Sequence, residues 1–271
     1  MRVELLADLD RPRSWMLLVD GVPQSHVDLN EPQYLDFEYM RRLGHLVDLA
    51  GPAGTPLRVL HLGGGGLTLA RYVMATRPGS AQLAVESDAE VAELVARRLL
   101  VPSQIDVRVT DARAVLDELP AGLFDMLVAD VFAGAKTPAR LASAEFTAAA
   151  ARVLAPSGLY AVNVGDGPPL AHARGRVAAV RSVFRHACVL AEAAVLRGRR
   201  YGNLVVAAAD HELPIADLTM RAAADPFPAR VVDGPALDRF VAGAPPVTDA
   251  RPGPAAAPPP EAFASAPPER G

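Results

Sequence analysis

The strongest chemical signal in the sequence is a run of four glycines, Gly63, Gly64, Gly65 and Gly66, between the apolar segment RVLHL and the amphipathic segment LTLARYV. Glycine lets a backbone turn tightly and approach a ligand closely, and a following helix points its first amides at that ligand. The pattern predicts a ligand-binding loop. A dinucleotide fingerprint would need a further glycine where the chain has Thr68, so NAD is disfavoured. The alternative is a strand-to-helix turn without a ligand.

Two acidic positions follow the next two predicted strands. Glu86 ends the segment AQLAVE about 20 residues beyond the loop, where a carboxylate can accept both hydroxyls of a ribose. An acid there can also cap the helix that begins near Asp88, and we assign ribose binding to Glu86 and capping to Asp88. Asp111 stands beside the small Ala112 and could accept from the exocyclic amine of adenine. The alternative for Asp111 is a plain N-cap of the helix ARAVLDELP.

A third acid, Asp130, closes the fourth strand, FDMLVAD, at the carboxyl edge where open α/β sheets bind ligands. A carboxylate at that edge is well placed for catalysis, whereas Asp125 at the opposite edge is assigned a structural role. The six histidines show no metal-ligand spacing, so no metal is expected. Because the chain has neither a GxSxG elbow nor a P-loop lysine, hydrolase and NTPase functions are disfavoured.

The elements that must position these residues alternate between short apolar runs and amphipathic stretches from Leu57 to about Ala209. This rhythm predicts a parallel sheet with crossover helices. The last two runs, CVLAEAAVL and NLVVAAA, are separated only by Arg197 to Gly202, which is too short for a crossover helix and predicts an antiparallel hairpin. The expected fold class is therefore α/β, with a class I methyltransferase-like, Rossmann-like sheet. Residues 211–243 are predicted to pack on it as helix and loop.

Three domains are predicted. Residues 1–50 form a small N-terminal β domain, in which SWMLLVDGVPQSHVDL reads as a hairpin and residues 32–49 as a helix. Residues 51–243 form the ligand-binding domain. Residues 244–271 contain 9 prolines and 8 alanines in 28 positions, which predicts a disordered tail.

Composition narrows the class of protein further. The 271 residues carry a net charge of -4, which provides no basic field for a nucleic-acid partner. The single cysteine, Cys188, excludes an internal disulfide or zinc knuckle. Without a signal peptide or a run of 18 apolar residues, neither export nor a membrane is expected, and the predicted location is the cytoplasm.

With these residues in place, the chain resembles the spermidine synthase (polyamine aminopropyltransferase) family from about Trp15 to Ala209. The segment LLVDGVPQ, ending in Gln24, matches the family's LDGxxQ pattern, and FEYMRRLGHL places Phe37, Tyr39 and His45 as in FxYxEMxxHxP.

The resemblance implies a role in polyamine biosynthesis: aminopropyl transfer from decarboxylated S-adenosylmethionine to a small-molecule amine, without a metal. It implies that Asp130 is the first acid of the catalytic loop and that Tyr39 contacts the substrate. We also assign Asp166 to the substrate, as a candidate replacement for an acid of the family pattern. Members often form dimers or tetramers, so a homodimer is the expected assembly. The residues implied to hold the thioether nucleoside are Gln24, Gly63, Gly64, Gly65, Glu86, Asp111 and Ala112.

The chain departs from the family pattern at three positions, two of which are acids in that pattern. Gly66 stands at the acid of the GGGDGG loop, Ala133 at the second acid of the catalytic loop, and Met40 at the usual Gln or His. Three functions stay open: an aminopropyltransferase in which Asp28, Glu31 or Asp166 replaces the missing acids, a methyltransferase that uses intact S-adenosylmethionine, and a non-catalytic nucleoside-binding protein. Gln24, Tyr39 and the N-terminal hairpin favour the first.

Overall fold

The computed structural model describes residues 2–132 and 137–253. The strands in these ranges are β1 (Val3–Ala7), β2 (Ser14–Val19), β3 (Val22–Asp28), β4 (Arg58–Leu62), β5 (Ala81–Glu86), β6 (Ile105–Val109), β7 (Phe124–Ala129), β8 (Leu154–Asp166), β9 (His186–Ala191), β10 (Gly202–Ala209) and β11 (Arg230–Val232). The helices are α1 (Glu38–Leu49), α2 (Thr68–Thr76), α3 (Ala89–Arg98), α4 (Ala112–Glu118), α5 (Ala144–Val153), α6 (Ala171–Arg181), α7 (Ala193–Leu196), α8 (Ile215–Ala224) and α9 (Gly234–Val241). A 3-10 turn spans Ala139–Leu141.

Eight strands form one sheet in the order β11-β9-β10-β8-β7-β4-β5-β6. The pairs from β8 to β6 are parallel, and the pairs that join β8, β10, β9 and β11 are antiparallel. This confirms the predicted α/β sheet and its antiparallel hairpin. The chain winds outward from β4 to β6 and then returns to β7 on the other side of β4. Such a reversal opens a crevice at the carboxyl ends of the strands, where sheets of this kind bind ligands.

Helices cover both faces of this sheet. On one face, α4, α5, α6 and α9 bury apolar side chains such as Phe146 and Val177 against the strands. On the other face, α1, α2 and α8 do the same through side chains such as Leu43 and Leu218. Because both faces are buried, the central strands are almost continuous apolar runs.

The N-terminal segment forms a separate three-stranded antiparallel sheet, β1-β2-β3. The predicted hairpin corresponds to β2 and β3, joined by Asp20 and Gly21 with φ angles of 49° and 78°, which suit the primed turns of tight hairpins. Strand β1 is not evident from the sequence because VELLA is short and lacks alternation of apolar and polar residues.

Helix α1 begins at Glu38, later than the predicted Pro32. The residues before it form a turn in which the carboxylate of Asp28 accepts from the amide of Glu31 at 2.8 Å. Phe37 then keeps an extended backbone, with φ -73° and ψ 136°, so the helix starts after it.

The C-terminal region adds one element that the sequence did not reveal. Residues 211–243 contain α8 and α9 as predicted, and also β11, a three-residue strand paired with β9. Within the predicted tail, residues 244–253 contact the fold, because Val247 is buried and its carbonyl accepts from the amide of Ala144 at 2.8 Å. Residues 254–271 of that predicted tail lie outside the described residues. None of the described helices is long and apolar enough to cross a bilayer.

Candidate functional site

The glycine loop joins β4 to α2 and requires glycine at two positions. Gly63 has a φ of 96°, and a Cβ atom there would lie 2.1 Å from the carbonyl oxygen of Asp130. Gly65 has a φ of 46°, and its Cβ would lie 2.6 Å from Oγ of Ser25. Side chains rarely adopt this backbone region, and neither position has space for one. The loop is therefore packed between the end of β7 and the N-terminal sheet.

Gly66, where the family pattern has an acid, also has no space for a side chain. Its Cβ would lie 2.6 Å from Cγ2 of Val27 and 3.0 Å from Cβ of Ser25. The amide of Gly66 donates to Oγ of Ser25 at 3.0 Å. Strand β3 thus fills the volume that an acidic side chain would need.

Glu86 ends β5 next to this loop. Its Oε2 accepts from the amide of Gly65 at 2.9 Å and its Oε1 accepts from the amide of Asp88 at 3.0 Å. Asp88 caps α3 by accepting from the amides of Glu90 and Val91, which confirms the capping role predicted for it. Glu86 therefore fixes the loop, and its contact with a ribose remains a prediction.

Asp111 caps α4, since its Oδ1 accepts from the amides of Arg113 and Ala114 at 2.9 and 3.2 Å. Arg140, within the 3-10 turn, also donates to both oxygens of this carboxylate, at 2.9 and 2.5 Å. The hydrogen bonds from Arg140 are the main cause that lowers the pKa of Asp111 to about 2. The N-cap is confirmed, while a contact with adenine remains a prediction.

Asp130 follows β7 and borders the crevice. Nδ2 of Asn163 on β8 donates to Oδ1 of Asp130 at 3.0 Å, and the hydroxyl of Tyr39 on α1 hydrogen bonds to the same carboxylate. Burial raises the pKa of Asp130 to about 6, although both hydrogen bonds act to lower it. A carboxylate with this pKa is largely ionised at neutral pH and can still accept a proton. Asp130 therefore has the properties of a general base.

Two neighbouring groups complete this arrangement. Burial raises the pKa of Tyr39 well above 10, so its hydroxyl stays neutral and acts as a donor. The Oδ1 atom of Asn163 is buried and has no partner among the described residues, so it can accept a hydrogen bond from a ligand.

One cavity of about 760 Å³ connects these residues. The predicted site residues that line it are Gln24, Tyr39, Gly63, Gly64, Gly65, Glu86, Asp111, Ala112 and Asp130. Residues that sequence reasoning did not single out also line it, and these include Phe132, Arg140, Asn163, Tyr201 and Asn203.

The sheet order divides this cavity into two parts. The acidic half lies at the ends of β5 and β6 and contains Glu86, Asp88, Glu90 and Asp111. The apolar half lies between α1 and the ends of β7 and β8, next to the start of β10, and its walls are Phe37, Tyr39, Met40, Leu43, Phe132 and Tyr201 around Asp130. A ligand that reaches from one half to the other must pass the glycine loop at the end of β4.

The structure does not bring Asp166 to the cavity, which corrects its assignment to the substrate. Its carboxylate accepts from the amides of Gly167 and Ala173, both at 2.8 Å, and so stabilises the first turn of α6. The other two acids considered as replacements, Asp28 and Glu31, pair with Arg11 at 2.9 and 2.6 Å in the N-terminal region.

No group of three His, Cys, Asp or Glu side chains in the described part of the chain is arranged to hold a metal ion.

Among solved structures, the chain is similar to a probable spermidine synthase from Corynebacterium glutamicum, with 36% identity and a TM-score of 0.85 over 91% of this chain and 92% of that one. It shares its fold with a spermidine synthase in complex with the transition state analogue AdoDATO, at 16% identity, a TM-score of 0.59 and coverage of 82% and 73%. It also shares its fold with human methyltransferase-like protein 13 in complex with SAH, at 20% identity, a TM-score of 0.56 and coverage of 79% and 96%. No protein-family model and no curated protein matches the sequence.

Proposed function

Since the chain belongs to the spermidine synthase family, a family of transferases, we propose that it transfers an aminopropyl group from decarboxylated S-adenosylmethionine to an amine. The main support is Asp130, a carboxylate with a pKa of about 6 that Tyr39 and Asn163 hold at the edge of the cavity next to the glycine loop. Such a group is suited to take the proton of an attacking amine.

In this proposal the adenosyl part of the donor occupies the acidic half of the cavity. Glu86 accepts from the ribose hydroxyls, and Asp111 accepts from the adenine amine beside Ala112. Gln24 on β3 and the glycine loop border the part of the donor that carries the sulfonium centre. All of these residues line the same cavity.

The acceptor nitrogen approaches from the apolar half and attacks the carbon of the aminopropyl group that is bonded to the sulfonium sulfur. A C–N bond forms while the C–S bond breaks, and its electron pair leaves on sulfur. The products are an aminopropylated amine and methylthioadenosine. The proton that the nitrogen loses passes to Asp130, while the neutral hydroxyl of Tyr39 keeps that carboxylate in position.

Product identification tests this proposal. Purified protein is incubated with decarboxylated S-adenosylmethionine and a mixture of mono-, di- and triamines, and the products are identified by mass spectrometry. We expect equal amounts of methylthioadenosine and one aminopropylated amine. If neither product forms while a control spermidine synthase is active in the same mixture, the proposal fails.

A second candidate function is methyl transfer from intact S-adenosylmethionine. Gly66 favours it, because the loop has no acid there to repel the carboxylate of the intact donor and no space in which to place one. The same mass-spectrometric experiment with the intact donor separates the two functions. S-adenosylhomocysteine and a methylated product from the intact donor would indicate methyl transfer, whereas methylthioadenosine and an aminopropylated product from the decarboxylated donor would indicate aminopropyl transfer.

A further inference from the structure

The apolar half of the cavity has a lining that specifies the kind of acceptor. Resting on the aminopropyl transfer proposed above, we propose that the acceptor is a primary amine with one cationic centre and an apolar aliphatic or aromatic body. A diamine or triamine would place a second ammonium group in this half.

The first argument is the lining itself. Asp130 is the one acid among the described residues that line the apolar half. Around it stand the apolar or aromatic side chains of Phe37, Met40, Phe132 and Tyr201. Apolar walls favour a carbon chain or a ring, whereas an ammonium group against them loses its water and gains only cation–π contacts with the rings in place of an anionic partner.

The second argument is the net charge of the side chains that surround the apolar half of the cavity. Oε1 of Glu38 accepts from Nδ2 of Asn203 at 3.1 Å and lies 4.0 Å from Nη1 of Arg42. Glu192 pairs with Arg200. These two negative and two positive charges cancel, so the two pairs offer no net attraction to a second ammonium group. The further acid near this wall, Asp166, acts on Tyr201 but does not line the cavity, and its oxygens accept from the amides of Gly167 and Ala173.

The third argument concerns acids that could reach this half from elsewhere. Asp166, at the end of β8, uses its carboxylate to cap α6. Residues 133–136, which follow Phe132 in the chain, read AGAK and add no carboxylate. The positions nearest to Asp130 in sequence therefore supply no second anion.

The hydrogen-bond acceptors around Asp130 match a primary amine. A neutral primary amine has two N–H groups and one lone pair. One N–H can donate to Asp130 and the other to the unpartnered Oδ1 of Asn163, which leaves the lone pair free to face the donor carbon. Both acceptors lie in the same part of the cavity.

The test compares two amines that differ only at the far end, 1-aminopentane and 1,5-diaminopentane, as acceptors for decarboxylated S-adenosylmethionine. We expect kcat/KM for 1-aminopentane to exceed that for 1,5-diaminopentane by at least about tenfold, since the second ammonium is desolvated without an anionic partner. An equal or higher value for the diamine overturns the inference but leaves aminopropyl transfer standing. Absence of transfer to any amine overturns the proposed function and this inference together.

A pair of variants tests the same reasoning by adding an acid. Phe37 lines the apolar half at the N-cap of α1, where an acidic side chain is compatible with the helix. We expect Phe37→Glu to raise the ratio of diamine to monoamine kcat/KM about tenfold above that of the neutral control Phe37→Gln. Equal ratios in the two folded variants, with circular dichroism as the check on folding, would contradict the inference.

Discussion

Replacing Asp130 by Asn measures how much folding stability the protein loses when the buried carboxyl of Asp130 ionises. This test does not depend on enzyme activity. The carboxyl has a pKa of about 6 in the folded protein against 3.8 for the unperturbed group. A carboxyl with a raised pKa holds its proton more tightly in the folded state, so the protein loses stability as pH rises from below 3.8 through about 6. At about 1.4 kcal/mol per pKa unit, the full cost is about 3 kcal/mol above pH 7, and about half of it is already present at pH 5.

The Asp130→Asn variant keeps the shape of the side chain and cannot ionise. We therefore expect it to be more stable than the parent protein at pH 8.5, and this advantage should be about 1.4 kcal/mol larger at pH 8.5 than at pH 5. Urea unfolding of both proteins at the two pH values, followed by circular dichroism, measures it. Groups other than Asp130 titrate in both proteins, so their effects cancel in the comparison.

Asp125, at the other end of β7, is the matched control. Arg58 lowers the pKa of Asp125 through a paired hydrogen bond, so the sign is opposite. Asp125→Asn is expected to destabilise the protein at pH 8.5, and this loss should shrink as the pH falls towards the lowered pKa. A stability difference for Asp130→Asn that does not change with pH would refute a raised pKa at Asp130 and remove the main support for its role as a base.

Three further substitutions test the acidic half and the loop. Glu86→Gln should weaken methylthioadenosine binding about 10- to 100-fold in calorimetry, through the loss of charge-assisted hydrogen bonds to the ribose, and unchanged affinity would contradict the ribose contact. Arg140→Gln should tighten the same binding up to about fivefold, because this half-exposed arginine competes with adenine for Asp111, and weaker binding would contradict the competition. Gly66→Ala should lower the free energy of unfolding by about 1–3 kcal/mol in urea, because its Cβ meets Val27 at 2.6 Å, and unaltered stability would show that β3 moves aside at no cost.

The sequence predicted the parts of the site that follow directly from strand ends. Gly63, Glu86, Asp111 and Asp130 each stand at or just after the end of a parallel strand, and such ends meet at one edge of a sheet. The topology alone was enough to bring them to one cavity. Asp166 also ends a strand, yet its carboxylate accepts from the first turn of α6. The sequence does not reveal whether an acid at the end of a strand faces the cavity or caps the next helix.

Other parts of the site depend on contacts between distant segments. Arg140 reaches Asp111 from a 3-10 turn with no recognisable motif. Asn163 has one signal in the sequence, a polar residue within the apolar run YAVNV, which in a buried strand indicates a specific partner. The loss of the acid at Gly66 is visible in the sequence, but the reason for it, the side chains of β3 against the loop, requires the structure.

The fold, like the site, could be predicted from the sequence only in part. The alternating runs predicted the parallel sheet because buried strands and amphipathic helices differ in period. Strand β1 escaped prediction because VELLA lacks an alternation of apolar and polar residues, and β11 escaped it because three residues are too few to show a pattern.

The most direct test of the central claim compares the parent protein with Asp130→Asn in the release of methylthioadenosine from decarboxylated S-adenosylmethionine and an amine. We predict that the variant loses about 10²- to 10⁴-fold in kcat, the usual contribution of a general base, while its affinity for methylthioadenosine stays within about twofold. Unchanged turnover in the variant, or release of S-adenosylhomocysteine from the intact donor as the only reaction, would contradict aminopropyl transfer with Asp130 as the base.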